Sequence, residues 1–270
     1  MTGSHRSPMK GYSTEFADHR EYVTGDDLRH LDWKVFSRTE RYYIKRYEEN
    51  TNLRAYLLLD GSGSMGFPRR KPPSTQITKY RYACHVAAGL AFVLIRQQDP
   101  VGLVMFNDQI TEHLPPLRTM GHLRHLVEAM DRVRPVDRTN SSRALHAAVD
   151  LIKRRGLVIL ISDLMDDSDK ISQGLAHLRQ RGHDVIVIQV LDEAELNFPF
   201  DQTITFRDLE SADHITVNTA DIAADYALQF TEFLDKYKRA CYEHGFDYVL
   251  ASTATPYDTL LTALLSRRQR

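Results

Sequence analysis

The sequence predicts an α/β protein: a doubly wound, mostly parallel sheet with helices on both faces. Three observations carry this. Short, unalternating apolar runs at Leu57-Leu58-Leu59, Pro100 to Phe106, Leu157 to Ile161 and Asp184 to Leu191 read as strands buried on both faces. Stretches of helical period separate them, the alternation that builds a parallel sheet. Two of the runs end in a carboxylate, Asp60 and Asp163, at the strand end where open parallel sheets bind ligands.

Taken in order, residues 1–52 stand apart. They are charged and aromatic, and Arg41 to Tyr47 alternates basic and apolar residues as a half-buried strand does. The acids Asp18, Glu21, Asp26, Asp27 and Asp32 work against a single-stranded nucleic-acid surface there. This stretch reads as an N-terminal extension packed on a main domain of residues 53–192. Lys79 to Gln98 is a helix, with Tyr82, Val86, Leu90 and Leu94 at helical spacing. Ile110 to Leu114 is a short edge strand. Gly121 to Val133 is a helix carrying His122 and His125, which lack a partner cysteine or an H-E-x-x-H pattern and read as solvated. Helices follow at Ser142 to Arg155 and Ile171 to Arg181. After Leu191 the rhythm breaks. Residues 193–270 read as a C-terminal extension packed on the same domain: a hairpin of Thr203 to Phe206 and His214 to Val217, a helix from Ala220 to Glu243, a strand from Asp247 to Ala251 and a helix from Pro256 to Ser266.

Composition bounds the function. With 270 residues, 42% hydrophobic and 26% charged, the chain has ample core, and its formal net charge of −1 gives no global field for nucleic acid. Cys84 and Cys241 fall far apart in predicted helices, which argues against a disulfide framework and for a reducing compartment. No apolar run reaches transmembrane length and no apolar leader follows Met1. The expectation is a cytoplasmic protein without a membrane span.

The most informative stretch is Asp60-Gly61-Ser62-Gly63-Ser64. The glycines are expected to let the backbone turn sharply, so that one carboxylate and two hydroxyls converge. Such an all-oxygen set suits a hard cation such as Mg2+. Other readings compete. Gly61, Gly63 and Gly66 fit a dinucleotide pattern, but a Pro/basic loop follows where a helix must start, and Asp60 would repel phosphate. Neither serine sits in G-x-S-x-G, and no Gly-Lys-Ser/Thr follows. An ordinary Gly/Ser turn remains open, as Thr139 is open to being a simple helix N-cap.

Asp60-x-Ser62-x-Ser64, Thr139 ahead of a helix and Asp163 after a later strand together resemble the metal-ion-dependent adhesion site of von Willebrand factor A domains. That resemblance implies a metal site of Asp60, Ser62, Ser64, Thr139 and Asp163 holding Mg2+, with Mn2+ or Ca2+ as alternatives. A partner's Asp or Glu would fill the last position. Asp137-Arg138 stand where many A domains have glycines, so a cation lies near the expected ion. The segments Glu15 to Tyr22, Gly25 to Trp33, Lys45 to Glu49 and Val190 to Phe200 resemble a bacterial domain-of-unknown-function family (number 58) that accompanies MoxR-type AAA+ ATPases. The implied function is non-enzymatic: Mg2+-dependent protein binding, as an adaptor or co-chaperone of such an ATPase. A metal-assisted hydrolase with Asp166, Asp167 or His183 as base is the alternative, and a structural fold with an empty site is a third.

Overall fold

In the computed structural model, three strands without an exposed residue run side by side at the centre of a six-stranded sheet. They are β3 (Ala55–Asp60), β4 (Val101–Phe106) and β6 (Leu157–Ser162). The structure describes residues 14–24, 26–27, 31–49, 54–68, 77–135, 141–166, 168–200, 202–207 and 214–268. Their chain divides into two compact units, Met1–Leu53 and Arg54–Arg270.

In the first unit, β1 (Thr14–Glu21) pairs antiparallel with β2 (Tyr43–Glu49). Between them lies α1 (Trp33–Thr39), capped by Asp32, whose carboxylate accepts from the amides of Lys34 and Val35. Neither β1 nor α1 is expected from the sequence. Seven residues with an exposed Trp33 and no buried position show no apolar stripe to read.

The second unit is the predicted α/β architecture. Its elements, besides the three central strands, are α2 (Lys79–Arg96), β5 (Ile110–Leu117), α3 (Met120–Arg132), α4 (Ser141–Leu151), α5 (Ser168–Gln180), β7 (Asp184–Leu191), α6 (Glu193–Asn197), β8 (Thr203–Arg207), β9 (His214–Asn218), α7 (Thr219–Glu243), β10 (Asp247–Ser252) and α8 (Tyr257–Arg268). The sheet order is β10-β7-β6-β3-β4-β5, parallel throughout except for β5. As the antiparallel edge strand, β5 has one wet face, and its residues alternate between half-buried and exposed. β8 and β9 form the expected hairpin as a separate two-stranded sheet.

Side chains alternate across the pleat, so each buried strand feeds two cores. One core joins Tyr56, Leu58, Val104 and Phe106 to Leu145, Val149, Leu175 and Tyr237 of α4, α5 and α7. On the other face α2 packs against α3 and α8. β4 and β6 flank β3 on opposite sides, so the strand order reverses there. Such a switch point opens a crevice beyond the carboxyl ends of the strands.

Two expectations are corrected here. α4 ends at Leu151, short of Arg155, although Ile152 stays buried. His122 is buried, and its Nε2 lies 2.9 Å from the carbonyl oxygen of Val101, a contact that replaces water. Burial holds its imidazole below the ordinary histidine pKa. His125 is exposed, as expected of a solvated histidine.

Candidate functional site

The site is built from strand ends. Asp60 closes β3, and Asp163 follows Ser162, the last residue of the adjacent β6. Both carboxylates are almost wholly buried, as is Ser62. Asp60 Oδ1 accepts from the Ser62 amide at 2.9 Å, and Oδ2 accepts from the Ser162 hydroxyl at 2.6 Å. The Ser62 and Ser64 hydroxyl oxygens lie 3.1 Å apart. Asp60, Ser62, Ser64 and Asp163 thus meet at one rim. Thr139, with Asp137 and Arg138, lies outside the described residues.

The glycines do not work as expected. Gly63 has ordinary right-handed backbone (φ −59, ψ −36), and Gly61 is not among the positive-φ glycines. The turn is made instead by a short 3-10 turn at Ser64–Gly66 and by the Asp60–Ser62 contact. The left-handed residue of the rim is Leu164 (φ 58), which costs a non-glycine residue roughly 1–2 kcal/mol. Its amide donates to Ser162 Oγ at 2.9 Å, and the Met165 amide donates to Asp163 Oδ1 at 3.1 Å. Together these bonds pin the Asp163 loop. Strain of this kind gathers at functional sites.

Sequence reasoning missed three partners. Ser162 orients Asp60. Lys79, at the start of α2, is fully buried, and its Nζ lies 2.8 Å from Asp163 Oδ2 and 2.7 Å from Glu195 Oε1. Glu195 spends its other oxygen on the Asp192 amide at 2.8 Å, in a capping box that starts α6. The signal for Glu195 was legible as Asp-x-x-Glu after a buried strand. Lys79 carried no signal, because a lysine in a first helical turn reads as solvated. Burial works against its ammonium, but Asp163 and Glu195 together hold its pKa above the ordinary lysine value. Burial also raises the Glu195 carboxyl, in spite of the ammonium beside it. We take the pair as charged, because Lys79 keeps Asp163 as a second carboxylate partner.

Among the described residues Asp60 has no such cation. Burial and then the charge of Asp163 push its pKa up to about 7, against the pull of the Ser162 and Ser62 donors. In ion-free protein its proton is therefore held by the folded state and lost by the unfolded chain between the ordinary carboxylate range and pH 7. Stability from this group is present at low pH and falls as pH rises through that window, by of order 4 kcal/mol. Urea unfolding of ion-free protein across pH 4 to 8 is expected to show this decline, and Asp60→Asn is expected to lack it.

Among the described residues, the three carboxylates Asp60, Asp163 and Glu195 share this rim with one ammonium, which pairs with the last two, a net charge of minus two when all are ionised. One divalent ion would balance it, and carboxylate and hydroxyl oxygens are the donors a hard ion takes. Asp60, Ser62, Ser64 and Asp163 are the described residues that could hold it. Among the described residues no group of three or more His, Cys, Asp and Glu could hold a metal, so the hydroxyls are essential to such a site. His183, considered above as a base, precedes β7 and so lies at the opposite rim of the sheet, where burial lowers its pKa. Asp167 is outside the described residues.

Fold and rim define a doubly wound α/β protein with a mostly parallel sheet and a polar loop at its switch point. Within that class, the chain belongs to the family described as Protein of unknown function DUF58, whose profile matches residues 18–232. Uncharacterized proteins of Mycobacterium tuberculosis and Mycobacterium bovis are 25% identical over 215 residues, covering 78% of this chain. The match spans 65% of the length of those curated relatives. An aerotolerance-related membrane protein from Bacteroides fragilis, solved with multiple mutations to serine, is similar in fold. Its TM-score is 0.51 at 14% identity, covering 80% of this chain and 98% of that one. BatB from Bacteroides thetaiotaomicron (TM-score 0.49, 14% identity) covers 80% of this chain and 98% of its own. The SpRpn10 VWA domain (TM-score 0.47, 14% identity) covers 80% of this chain and 95% of its own. No helix among the described residues is long and apolar enough to cross a membrane.

Proposed function

We propose that this protein is a non-enzymatic, Mg2+-dependent protein-binding domain, working as an adaptor or co-chaperone of a MoxR-type AAA+ ATPase. The observation that supports the reading best is the meeting of Asp60, Ser62, Ser64 and Asp163 at the carboxyl rim of β3 and β6, with more buried negative charge than Lys79 neutralises. Asp60, Ser62, Ser64, Asp163 and, by the family resemblance, Thr139 would hold the ion; Mn2+ or Ca2+ would serve in its place. When bound, the ion supplies a positive centre for a carboxylate of the partner. The protein's own residues do the rest. Ser162 and the Ser62 amide orient Asp60, the Met165 amide orients Asp163, and the neutral hydroxyls of Ser62 and Ser64 add donors without adding charge. The MoxR-type partner is inferred from the family resemblance.

Coprecipitation of the purified chain with its cognate MoxR-type ATPase, in magnesium and in chelator, tests this. The expected result is binding in magnesium that chelator removes and that substitution of the partner's exposed acidic residues weakens. Equal binding in both conditions would overturn the metal-dependent reading.

A further inference from the structure

Lys79 is in an expensive place. It is wholly buried, and it stands in the first turn of α2, where the helix dipole disfavours a cation. Burial without partners would strip its proton or expel the side chain. It stays because two carboxylates reach its ammonium at 2.8 and 2.7 Å, one from the rim loop and one from α6. Its amide donates to the Phe67 carbonyl at 2.8 Å, and its ammonium lies 5.9 Å from the Phe67 ring centroid. The partner side is equally held. Glu195 is tied to the Asp192 amide, its own carbonyl accepts the Tyr226 hydroxyl of α7 at 2.8 Å, and Gln189 donates to the Asp163 carbonyl at 2.9 Å. The ammonium is therefore held between Glu195 and Asp163, the second carboxylate of the candidate ion site.

We propose that Lys79 is a positioning residue that acts as a built-in counter-cation: it holds Asp163 on its ammonium, and so sets how strongly the rim takes a divalent ion. This rests on the metal reading above. An ion and an ammonium compete for the same carboxylate charge, because either one lowers the attraction left for the other. With Lys79 in place the ion meets an Asp163 whose charge is already partly neutralised. Part of the ion's positive charge then stays available to a visiting carboxylate. Without Lys79, the rim would satisfy the ion by itself, and less of that charge would be left for a visitor. Glu195 sets the hold from the other side. While it shares the ammonium, Lys79 is only partly committed to Asp163.

Calorimetric titration of the full chain with Mg2+, Mn2+ or Ca2+ alone tests this in wild type, Lys79→Met and Glu195→Gln. Lys79→Met is expected to bind about tenfold or more tightly and to be less stable without ion. Its melting temperature should then rise more on adding Mg2+ than that of wild type. Glu195→Gln keeps the lysine and commits it to Asp163, so it is expected to bind several-fold more weakly; it remains readable if Lys79→Met does not fold. A residue that only packs the rim would not move the two affinities in opposite directions. Ion uptake by Lys79→Met but not by wild type would support the counter-cation in its strongest form. Uptake by wild type with unchanged affinity in either folded variant, or with shifts opposite to these, overturns the role of Lys79 and leaves the metal reading standing. No uptake by wild type or by either variant overturns the metal reading itself.

Discussion

Asp60→Asn is expected to abolish ion-dependent stabilisation while making the ion-free protein more stable above pH 7. The two effects have one cause. Asp60 is buried beside Asp163, and both burial and that neighbouring charge disfavour its ionised form. Asparagine has the same shape and can still accept the Ser62 amide, and the Ser162 hydroxyl can reorient toward its amide group. Neutralisation then removes a cost and leaves the loop bonded. The ion, however, loses a charged donor, and its affinity should fall by more than the 10–100-fold typical of outer partners. At an ion concentration a hundred times the dissociation constant, wild type gains about 2.7 kcal/mol. For a unit of this size that is a rise of about 5–11 °C in melting temperature. Melting curves with and without Mg2+ at pH 8 read both effects. A variant less stable than wild type without ion, yet still stabilised by Mg2+, would show Asp60 to be a structural carboxylate and nothing more.

Gly156→Ala is expected to cost about 3 kcal/mol or more, the largest effect of any single methyl group here. Gly156 leads into β6, and an added Cβ would overlap the backbone carbonyl oxygen of Arg54. That oxygen cannot move aside, because it accepts the Leu157 amide at 2.8 Å where β6 meets β3. The Asp184 amide is bonded to the Gly156 carbonyl at 3.1 Å, so β7 is tied to the same point. Urea unfolding should show the loss. Gly121→Ala is the control: nothing lies within 4 Å of its added methyl, and stability should hold or rise. Equal effects at the two positions would refute the close approach of Arg54 and Gly156.

Part of the fold and of the rim is legible in the amino-acid sequence alone. The buried strands announced themselves because a strand covered on both faces must be apolar nearly throughout, and β3, β4 and β6 hold no polar residue but the Asp60 and Ser162 that close β3 and β6. Asp60, Ser62 and Ser64 could be gathered because they lie within five residues, where a turn alone brings them together. Asp163 could be added because a strand-end carboxylate has only one rim on which to lie. α1 was missed because it has no buried face to give a period, and His122 was misread because its carbonyl partner is 21 residues away.

What the sequence by itself determined is the alternation of apolar strands and helices and the polar loop that closes β3, since both follow from neighbours along the chain. What only the tertiary structure decided is which of the remaining charges share that rim. Lys79 reaches Asp163 across 84 positions and Glu195 across 116, and Ser162 reaches Asp60 across 102. Pairings of that span depend on strand order and helix placement. An isolated lysine or serine carries no mark of the carboxylate it will meet.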